Sequence, residues 1–382
     1  MKILHTSDWH FGKKLEGMKR IEEQEKFINN LKKIVQGEKP DLILIAGDIF
    51  DTPNPSAEAE TLFFESLKRI SLNGKVGVVI IPGNHDNGER LAASKSLVKD
   101  IGVIIYKEPY EIKNVGKYSN MEILESFQGG ILLKISEKKM FLYCLPYPSE
   151  AALNETFEDG KYSERIGEIL KEGIENNKED VPVVVMTHLF VTREDKEVEL
   201  GGSMAVKVKD LPDVDYIALG HIHKPMKFTS KRACYSGSPI EYRSTEKNFL
   251  KKVFIVQVNG NFDTNIKEIP LENYKPIKEY IGNSIEEAIE ISNSLKEKEE
   301  WIYLKIKTKT HLKSSDIRKI KENKNIVEII PILLGEETYD EEIDYSEINI
   351  KEAFLEFYKN KDGITPSKEI INLFEKLVGD DE

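Results

Sequence analysis

The sequence predicts an α/β fold in which two sheets pack together and polar side chains collect at one edge. Short apolar runs alternate with helical patterns from residue 1 to about 225, as is typical of βαβ units. Strand-like runs at 131–145 and 234–269 indicate a second sheet packed on the first. Five of the apolar runs end in residues that can bind metal ions. Because the carboxyl ends of strands in an open α/β sheet line one crevice, we expect those residues to meet there.

The local patterns predict individual helices and turns in order along the chain. Residues 22–36 and 57–70 repeat apolar side chains at helical spacing, which predicts two crossover helices. A strand pair at 131–145 precedes a predicted helix at 162–176. Asn259 and Gly260 then predict a hairpin turn, since this dipeptide tolerates the backbone conformation that tight turns need.

Composition narrows the class of protein. The chain has 382 residues, of which 40% are hydrophobic, so we expect a globular protein with more than one domain. A formal net charge of -12 argues against a generally basic surface, although a local basic groove stays compatible with it. Cys144 and Cys234 form no Cys-x-x-Cys pattern, which favours a reducing compartment. With no signal-peptide pattern before Asp8 and no membrane-length apolar stretch, we expect a cytoplasmic protein without membrane contact.

The domain organisation follows from shifts in composition. Residues 1–271 hold every polar cluster, and 272–335 predict a small α/β accessory domain whose helix at 284–298 begins with a capping box. An acidic linker at 336–348 leads to two short amphipathic helices within 349–382. Two such helices are too small to bury their apolar faces alone, so they dock either on their own domain or on a partner. We favour a partner.

The five polar clusters predict a site for two metal ions. A carboxylate has two oxygens, so Asp48 can bridge two ions where a single imidazole nitrogen cannot. Oxygen and imidazole donors without a thiolate suit Mn²⁺, Fe²⁺ or Zn²⁺ better than Ca²⁺. Two ions about 3.5–4 Å apart clamp a phosphate and activate a water. The candidate ligands are Asp8, His10, Asp48, Asn84, His188, His221 and His223.

His85 is the candidate general acid. It directly follows the candidate ligand Asn84, and an imidazole that binds no metal can give a proton to a departing alkoxide. We expect Asp86, the next residue, to hold the His85 ring in one orientation.

Each cluster also has a structural interpretation. A lone Asp-x-His is more often a chance surface pair, and Gly-Asn-His-Asp alone fits an ordinary turn. Five clusters in series, each after a predicted strand, favour the metal site. His5 lies inside the first predicted strand, and we expect it to be a core histidine.

The order Asp-x-His, Gly-Asp-x-x-Asp, Gly-Asn-His-Asp, His, Gly-His-x-His resembles that of the calcineurin-like metallophosphoesterases. More narrowly, residues 3–12, 47–52 and 235–242 resemble the bacterial SbcD branch, nuclease subunits that act with the ATPase SbcC in DNA double-strand break repair. The resemblance implies a nuclease core of two packed mixed β-sheets flanked by helices, a small α/β cap domain facing DNA, and a C-terminal helix pair.

The resemblance also implies ligand sets and activities. One Mn²⁺ would be bound by Asp8, His10 and His223, the other by Asn84, His188 and His221, with Asp48 shared. The implied activities are an exonuclease on duplex ends and an endonuclease on single strands. This chain departs from archaeal and eukaryotic relatives at Asp51, where they carry a second mechanistic histidine, so no such role is expected here.

Contacts with DNA and protein partners form a further set of expectations. Basic residues follow the first and last metal loops and would contact phosphates, although a single loop lysine is often merely solvated: Lys13, Lys14, Lys19, Arg20, Lys224 and Lys227. By resemblance, the terminal pair binds the root of the SbcC coiled coil through Phe354, Phe357, Phe374 and Leu377. A homodimer through the helices at 57–70 and 89–99 is expected on the same ground.

Two other functions use the same residues. A phosphatase or cyclic-nucleotide phosphodiesterase would need the same two ions, but it would not explain the accessory domain or the apolar terminal pair. A metal-free scaffold protein would be expected to have lost ligands, and all seven are present.

Overall fold

The computed structural model describes residues 1–93, 98–158, 160–192 and 204–334. The acidic linker and the terminal pair with its four apolar contact residues lie outside the described residues, as does part of the segment at 89–99. Chain contacts separate a unit Met1–Ile332 from a unit Leu333–Glu382, and the elements that follow lie in the first unit except for the last residue of the final strand.

The strands of the described residues are β1 (Lys2–Thr6), β2 (Lys14–Leu15), β3 (Met18–Lys19), β4 (Leu42–Ala46), β5 (Gly77–Ile81), β6 (Val103–Ile105), β7 (Gly116–Tyr118), β8 (Met121–Ser126), β9 (Gly130–Ile135), β10 (Lys138–Leu145), β11 (Val183–His188), β12 (Phe190–Thr192), β13 (Ala205–Lys207), β14 (Tyr216–Gly220), β15 (Met226–Lys227), β16 (Ala233–Tyr235), β17 (Lys252–Val258), β18 (Thr264–Pro270), β19 (Ile277–Gly282), β20 (Trp301–Thr308) and β21 (Ile326–Leu333). The α-helices are α1 (Ile21–Glu38), α2 (Ala57–Ile70), α3 (Gly88–Ala92), α4 (Glu150–Leu153), α5 (Tyr162–Ile174), α6 (Ile285–Ser294) and α7 (Ser314–Ile320).

The first sheet has the strand order β18-β17-β1-β4-β5-β6. Its strands β1, β4, β5 and β6 run parallel, and β17 is antiparallel to β1, with Ile3 opposite Val256. All five residues of β4 are buried, because a parallel strand is covered on both faces. The carboxyl ends of the parallel strands therefore lie at one edge of the sheet.

The second sheet has the order β15-β16-β14-β11-β10-β9-β8-β7. Its centre is also parallel, from β16 through β14 and β11 to β10. The predicted strand pair at 131–145 is confirmed as β9 and β10. The predicted hairpin at Asn259 joins β17 to β18, but both strands extend the first sheet, because β17 pairs with the free edge of β1.

The two sheets pack face to face through an apolar core, so the predicted packing of two sheets is confirmed. Ile3, Leu44 and Val79 of the first sheet share this core with Leu142 and Met186 of the second. A second core places α1 and α2 against the outer face of the first sheet, and a third places α5 against the second sheet. The predicted crossover helices are confirmed, and Ser56 caps α2 by accepting the Ala59 N–H.

A third sheet, β19-β20-β21, follows the two-sheet core in sequence. One of its faces packs against α6 and α7, and Ser284 caps α6 as expected by accepting the Glu287 N–H. The opposite face contacts Leu15 of the β2–β3 hairpin through Trp301 and Tyr303. The hairpin that follows His10 thus packs against the third sheet.

Among the described residues, no helix combines the length and the apolar character needed to cross a bilayer.

Candidate metal centre

All seven predicted ligands lie at the carboxyl ends of the central strands. In the first sheet they follow β1, β4 and β5, while in the second sheet they end β11 or follow β14. Because the two sheets pack face to face, ligands from both sheets meet at one end of the core. The residues brought together are Asp8, His10, Asp48, Asn84, His188, His221 and His223.

The first donor set consists of Asp8, His10 and His223. Their ligand atoms all lie within 4.8 Å of one another. The Nε2 atoms of His10 and His223 face each other at 3.0 Å. Two donors bound to one ion at about 2.1 Å and near-perpendicular angles are separated by about 3 Å, so this spacing fits a shared cation.

The second donor set consists of Asn84, His188 and His221. The amide oxygen of Asn84 lies 3.1 Å from His188 Nε2 and 3.0 Å from His221 Nδ1. These contacts again have the separation expected of donors around one ion.

Asp48 lies between the two sets. Its Oδ2 atom is 3.5 Å from His10 Nε2 and 3.4 Å from His188 Nε2. Its other oxygen accepts the backbone N–H of His85 at 3.0 Å. One carboxylate oxygen therefore faces an imidazole nitrogen of each set, which is the placement that a bridging ligand requires.

The backbone of the metal loops is strained at the ligands themselves. Four of the ligands have positive φ although they carry side chains: 54° at Asp8, 44° at His10, 50° at Asp48 and 110° at His221. Hydrogen bonds from Asp8 N to Gly47 O (3.0 Å) and from His10 N to Asp48 O (2.9 Å) hold the first two loops against each other. Such conformations cost free energy and persist where surrounding contacts fix them, commonly at functional sites.

Two glycines allow the close approach of these loops. A Cβ atom at Gly47, where φ is 88°, would lie 2.3 Å from His188 Nδ1. A Cβ atom at Gly83 would lie 2.2 Å from Asp48 Oδ1. Only glycine fits at these positions, which explains why Gly precedes the ligands of both loops.

The ring of His188 is oriented by the main chain. Its Nδ1 donates to the carbonyl oxygen of Ala46 at 2.8 Å, so Nε2 is left to face the metal position. Burial lowers the pKa of His188, but the Asp48 carboxylate outweighs burial and raises that pKa to about 9. The same interaction acts on the partner: burial raises the pKa of Asp48, but the charge of His188 outweighs burial and lowers that pKa. The centre therefore holds its carboxylate ionised and favours positive charge nearby.

The ring of His223 is oriented by a buried carboxylate that sequence reasoning missed. His223 Nδ1 donates to Glu246 Oε1 at 2.8 Å, and Lys251 Nζ lies 2.6 Å from Glu246 Oε2. Burial opposes ionisation of Glu246, but the hydrogen bond from His223 and the charge of Lys251 lower its pKa to about 2. No motif in the sequence links Glu246 to a histidine 23 positions earlier.

His85 lines the same centre without joining either donor set. Its Nδ1 donates to the backbone carbonyl of Asp51 at 2.9 Å, since a carbonyl can only accept. Its ring centroid is 4.9 Å from that of His10, in an edge-to-face arrangement. This position beside the ligands is compatible with the predicted role in proton transfer.

The predicted role of Asp86 is wrong. Its carboxylate does not hold the His85 ring but accepts the backbone N–H groups of Ile49, Phe50 and Gly83 at 3.0, 2.9 and 2.9 Å. Burial and the charge of Asp48 raise the pKa of Asp86 to about 7. Asp86 thus fixes the second and third metal loops to each other, and the carbonyl of Asp51 orients the His85 ring.

A cleft of about 330 Å³ opens over both donor sets. Its walls include the ligands His221 and His223, and residues outside the ligand sets such as His85, Lys224, Arg243 and Phe249. The cleft gives a substrate access to the donor atoms from solvent.

The structure separates the predicted DNA-contact residues into different groups. Lys14, Lys19 and Lys224 are exposed. Three of the lysines meet carboxylates: Lys13 with Asp51 at 2.5 Å, Lys19 with Glu58 at 3.0 Å and Lys227 with Glu268 at 2.8 Å.

The prediction for Arg20 is wrong. Its side chain is 1% exposed, is paired with Glu23 at 2.6 Å and donates to the Glu241 carbonyl at 2.8 Å. Its guanidinium also lies 5.6 Å from the Trp301 ring centroid. A side chain held in this way cannot reach a phosphate, so Arg20 joins the core to the third sheet.

Comparison with known proteins identifies the family. The model for the calcineurin-like phosphoesterase family matches residues 1–225. A Bacillus subtilis protein that is named as the SbcD subunit of the nuclease SbcCD is 33% identical over 99% of this chain and 97% of its own length. The chain belongs to the SbcD branch of the calcineurin-like phosphoesterases. It is accordingly a metal-dependent phosphodiesterase of the nuclease type.

A second relative supports this assignment, whereas the structural comparison does not bear on it. A Staphylococcus epidermidis protein with the same name is 27% identical over 94% of this chain and 93% of its own length. A crystal structure of a Thermus thermophilus protein overlaps 70% of this chain and 98% of its own with a TM-score of 0.40 at 12% identity, which is too loose a match to support a conclusion.

Proposed function

We propose that this SbcD-family chain is an Mn²⁺-dependent DNA nuclease, acting as an exonuclease on duplex ends and an endonuclease on single strands. In this proposal it works with the ATPase subunit SbcC in processing DNA double-strand breaks. The observation that carries the proposal is the position of Asp48 Oδ2, within 3.5 Å of an imidazole nitrogen from each donor set.

The ligands fit a pair of divalent cations. Asp8, His10 and His223 would hold one ion, and Asn84, His188 and His221 the other, with Asp48 shared. Carboxylate, amide and imidazole donors without thiolate suit Mn²⁺, with Fe²⁺ or Zn²⁺ as alternatives. When bound, such a pair supplies Lewis-acid activation of a water and stabilises charge on the phosphate.

His85 is proposed as the general acid for the departing oxygen. Its Nδ1–H is occupied by the Asp51 carbonyl, so a proton available for transfer is carried by Nε2 of the imidazolium. When the P–O bond breaks, that proton passes to the departing oxygen and leaves a neutral ring still hydrogen-bonded through Nδ1. The backbone N–H of His85 donates to Asp48, which holds the main chain at His85 against the shared carboxylate.

Five lysines remain as proposed DNA contacts after the correction of Arg20: Lys13, Lys14, Lys19, Lys224 and Lys227. Lys14 and Lys224 are exposed, while the paired lysines would exchange a carboxylate for a phosphate. Such contacts position DNA without reading its sequence. Reversing the charge of Lys13 and Lys14 together should weaken DNA binding and reduce its salt dependence. An unchanged salt slope would exclude these two contacts.

The proposed protein partners are SbcC and a second copy of the chain. Both named relatives are described as a subunit, and the terminal pair carries the apolar residues Phe354, Phe357, Phe374 and Leu377. A chain truncated after about residue 345 should lose co-purification with SbcC while it keeps metal-dependent nuclease activity. The buried free thiols Cys144 and Cys234 are compatible with a reducing cytoplasm, the proposed location.

The decisive experiment is a nuclease assay with Mn²⁺ on linear duplex and single-stranded DNA, with and without SbcC. Parallel reactions use a chromogenic phosphodiester and a phosphomonoester, and the His85→Ala variant serves as the control for contaminating nucleases. Degradation of DNA that depends on Mn²⁺ and His85 supports the proposal. Hydrolysis of only the small substrates would instead indicate a phosphatase or cyclic-nucleotide phosphodiesterase.

A further inference from the structure

Several residues of the segment 243–250 form one rim of the cleft, and none of them is a candidate metal ligand. Arg243 and Phe249 line the cleft beside the ligand His223. Arg243 is exposed and Phe249 is half-buried. The pattern of the sequence singled out neither residue.

Glu246 connects this rim to the metal centre through hydrogen bonds. The Glu246 N–H donates to the Arg243 carbonyl at 2.9 Å, and the Phe249 N–H donates to the Glu246 carbonyl at 2.9 Å. The Glu246 carboxylate in turn accepts the Nδ1–H of His223 at 2.8 Å. The main chain at both cleft-lining residues is therefore hydrogen-bonded to Glu246, the residue that orients the ligand His223.

The positive charges on this rim are available to a ligand. Within the described ranges, neither the Arg243 guanidinium nor the Lys224 ammonium has a carboxylate partner, in contrast to Lys13, Lys19 and Lys227. In a chain with a net charge of -12, two unpaired cations on one cleft are a local concentration of positive charge. The positive charge of these two side chains favours an anionic substrate in the cleft.

Phe249 adds an aromatic surface to these charges. Its ring centroid lies 5.2 Å from the Lys224 ammonium and 5.8 Å from that of Lys251. Lys251 is itself fixed by Glu246 at 2.6 Å, so the ring rests against a rigid neighbour. An aromatic ring and a guanidinium that line the same cleft match a nucleotide, whose base stacks and whose phosphate takes charge-assisted hydrogen bonds.

We propose that Arg243 and Phe249 form a nucleotide subsite next to the scissile phosphate. Phe249 stacks on the base of the neighbouring nucleotide, and Arg243 binds its phosphate. This inference rests on the proposed function as a DNA nuclease and specifies its substrate further. Because a base inside a duplex is covered on both faces, the subsite takes nucleotides from single strands or frayed ends.

The test measures KM for single-stranded oligonucleotides that carry one abasic position, using the full chain with Mn²⁺. The abasic position is moved through the two nucleotides on either side of the cleavage point. We expect the wild-type KM to rise roughly tenfold at one of these positions, as loss of a base–aromatic stack predicts. Phe249→Ala should raise KM for the intact strand by a similar factor and should show no further penalty at that position.

Control variants distinguish the specific roles of Arg243 and Phe249 from general effects of substitution in this segment. Leu250 is 66% exposed and does not line the cleft, so Leu250→Ala controls for loss of an apolar side chain in the same segment. Arg243→Ala should lower the slope of log affinity against log salt by about 0.7, the effect of one single-strand phosphate contact. Mn²⁺ affinity and thermal unfolding, measured on every variant, establish that the fold and the donor sets are intact.

The outcomes distinguish this inference from the function on which it rests. If the wild type cleaves DNA but no abasic position carries a penalty, or if the penalty persists in Phe249→Ala, the subsite is wrong and the nuclease assignment stands. If the wild type neither binds nor cleaves DNA, the proposed function fails and the subsite fails with it.

Discussion

The two donor sets of the metal centre contain similar ligands but are supported in different ways. In the set of Asp8, His10 and His223, a buried ion pair of Glu246 and Lys251 stands behind the ligand His223. In the set of Asn84, His188 and His221, a backbone carbonyl supports His188, and Asn84 contributes a neutral amide. The difference teaches that a buried pair of charged side chains orients His223 in one set, whereas the main chain orients His188 in the other.

The largest expected effect comes from the residue that both sets share. Asp48→Ala should remove tight binding of both Mn²⁺ equivalents and lower the phosphodiesterase rate at least about 10³-fold, because several kcal/mol of transition-state stabilisation are lost. Titration calorimetry with Mn²⁺ and a rate assay measure the two effects, with the exposed Asp100→Ala as control. Retention of two tight equivalents would show that the sets do not share this carboxylate.

The second-largest effect should be a loss of catalytic rate with no change in the Mn²⁺ affinity of either donor set. His85→Ala should lower kcat on DNA by about 10³-fold, because the departing oxygen loses its proton donor. The loss should be smaller on a chromogenic diester, whose leaving group needs no protonation, and Mn²⁺ affinity should stay unchanged. His311→Ala removes an exposed histidine and is the matched control. A weaker Mn²⁺ affinity in the His85 variant would place this residue among the ligands instead.

A smaller effect should distinguish the two sets directly. Glu246→Gln should weaken one Mn²⁺ equivalent by about 10–100-fold and leave the other unchanged, because the partner of a ligating histidine raises its basicity and fixes its ring. Mn²⁺ titration followed by electron paramagnetic resonance gives the two affinities. Glu137→Gln, at a side chain that is 96% exposed, controls for the loss of one charge. Equal weakening of both equivalents would contradict the separate support of the two sets.

The smallest effect concerns a buried histidine outside both sets. His5 is fully buried, bonds Tyr216 Oη at 2.8 Å, and burial lowers its pKa to about 3. Since the unfolded chain binds a proton near pH 6.5 and the folded chain does not, stability falls as pH drops from about 6.5 to about 3.

This linkage gives a pH-dependent prediction that can be measured without metal. Between pH 7 and pH 5, the wild type should lose about 2 kcal/mol more free energy of unfolding than His5→Gln, whose side chain stays neutral. Urea unfolding of both proteins in chelator at the two pH values measures the difference. A parallel pH dependence in the two proteins would show that His5 takes up its proton without unfolding.

Several elements were predictable because their signals are local. The apolar repeats of α1 and α2, the cap at Ser284 and the strand pair β9–β10 depend on residues a few positions apart. The ligand residues could be recognised because each follows a buried strand directly. The core position of His5, in the middle of β1, followed from the same pattern.

The wrong predictions concern contacts between distant segments. The sequence around Arg20 predicts an exposed cation. Its hydrogen-bond acceptor is the carbonyl of Glu241, which lies 221 positions away and cannot be recognised from local pattern. Asp86 reads as the neighbour of His85, but its carboxylate turns to the backbone of Ile49 and Phe50. The edge of β1 was filled by β17, which sequence spacing alone did not indicate.

The sequence by itself determined which chemical groups this protein brings to a metal centre, because residue type and strand ends are local properties of the chain. Only the tertiary structure decided which oxygen of Asp48 faces both sets, which carboxylate supports His223, and which cations line the cleft. These features arise from approaches between segments up to about two hundred residues apart, and side-chain direction and burial at such contacts are set by packing rather than by local pattern.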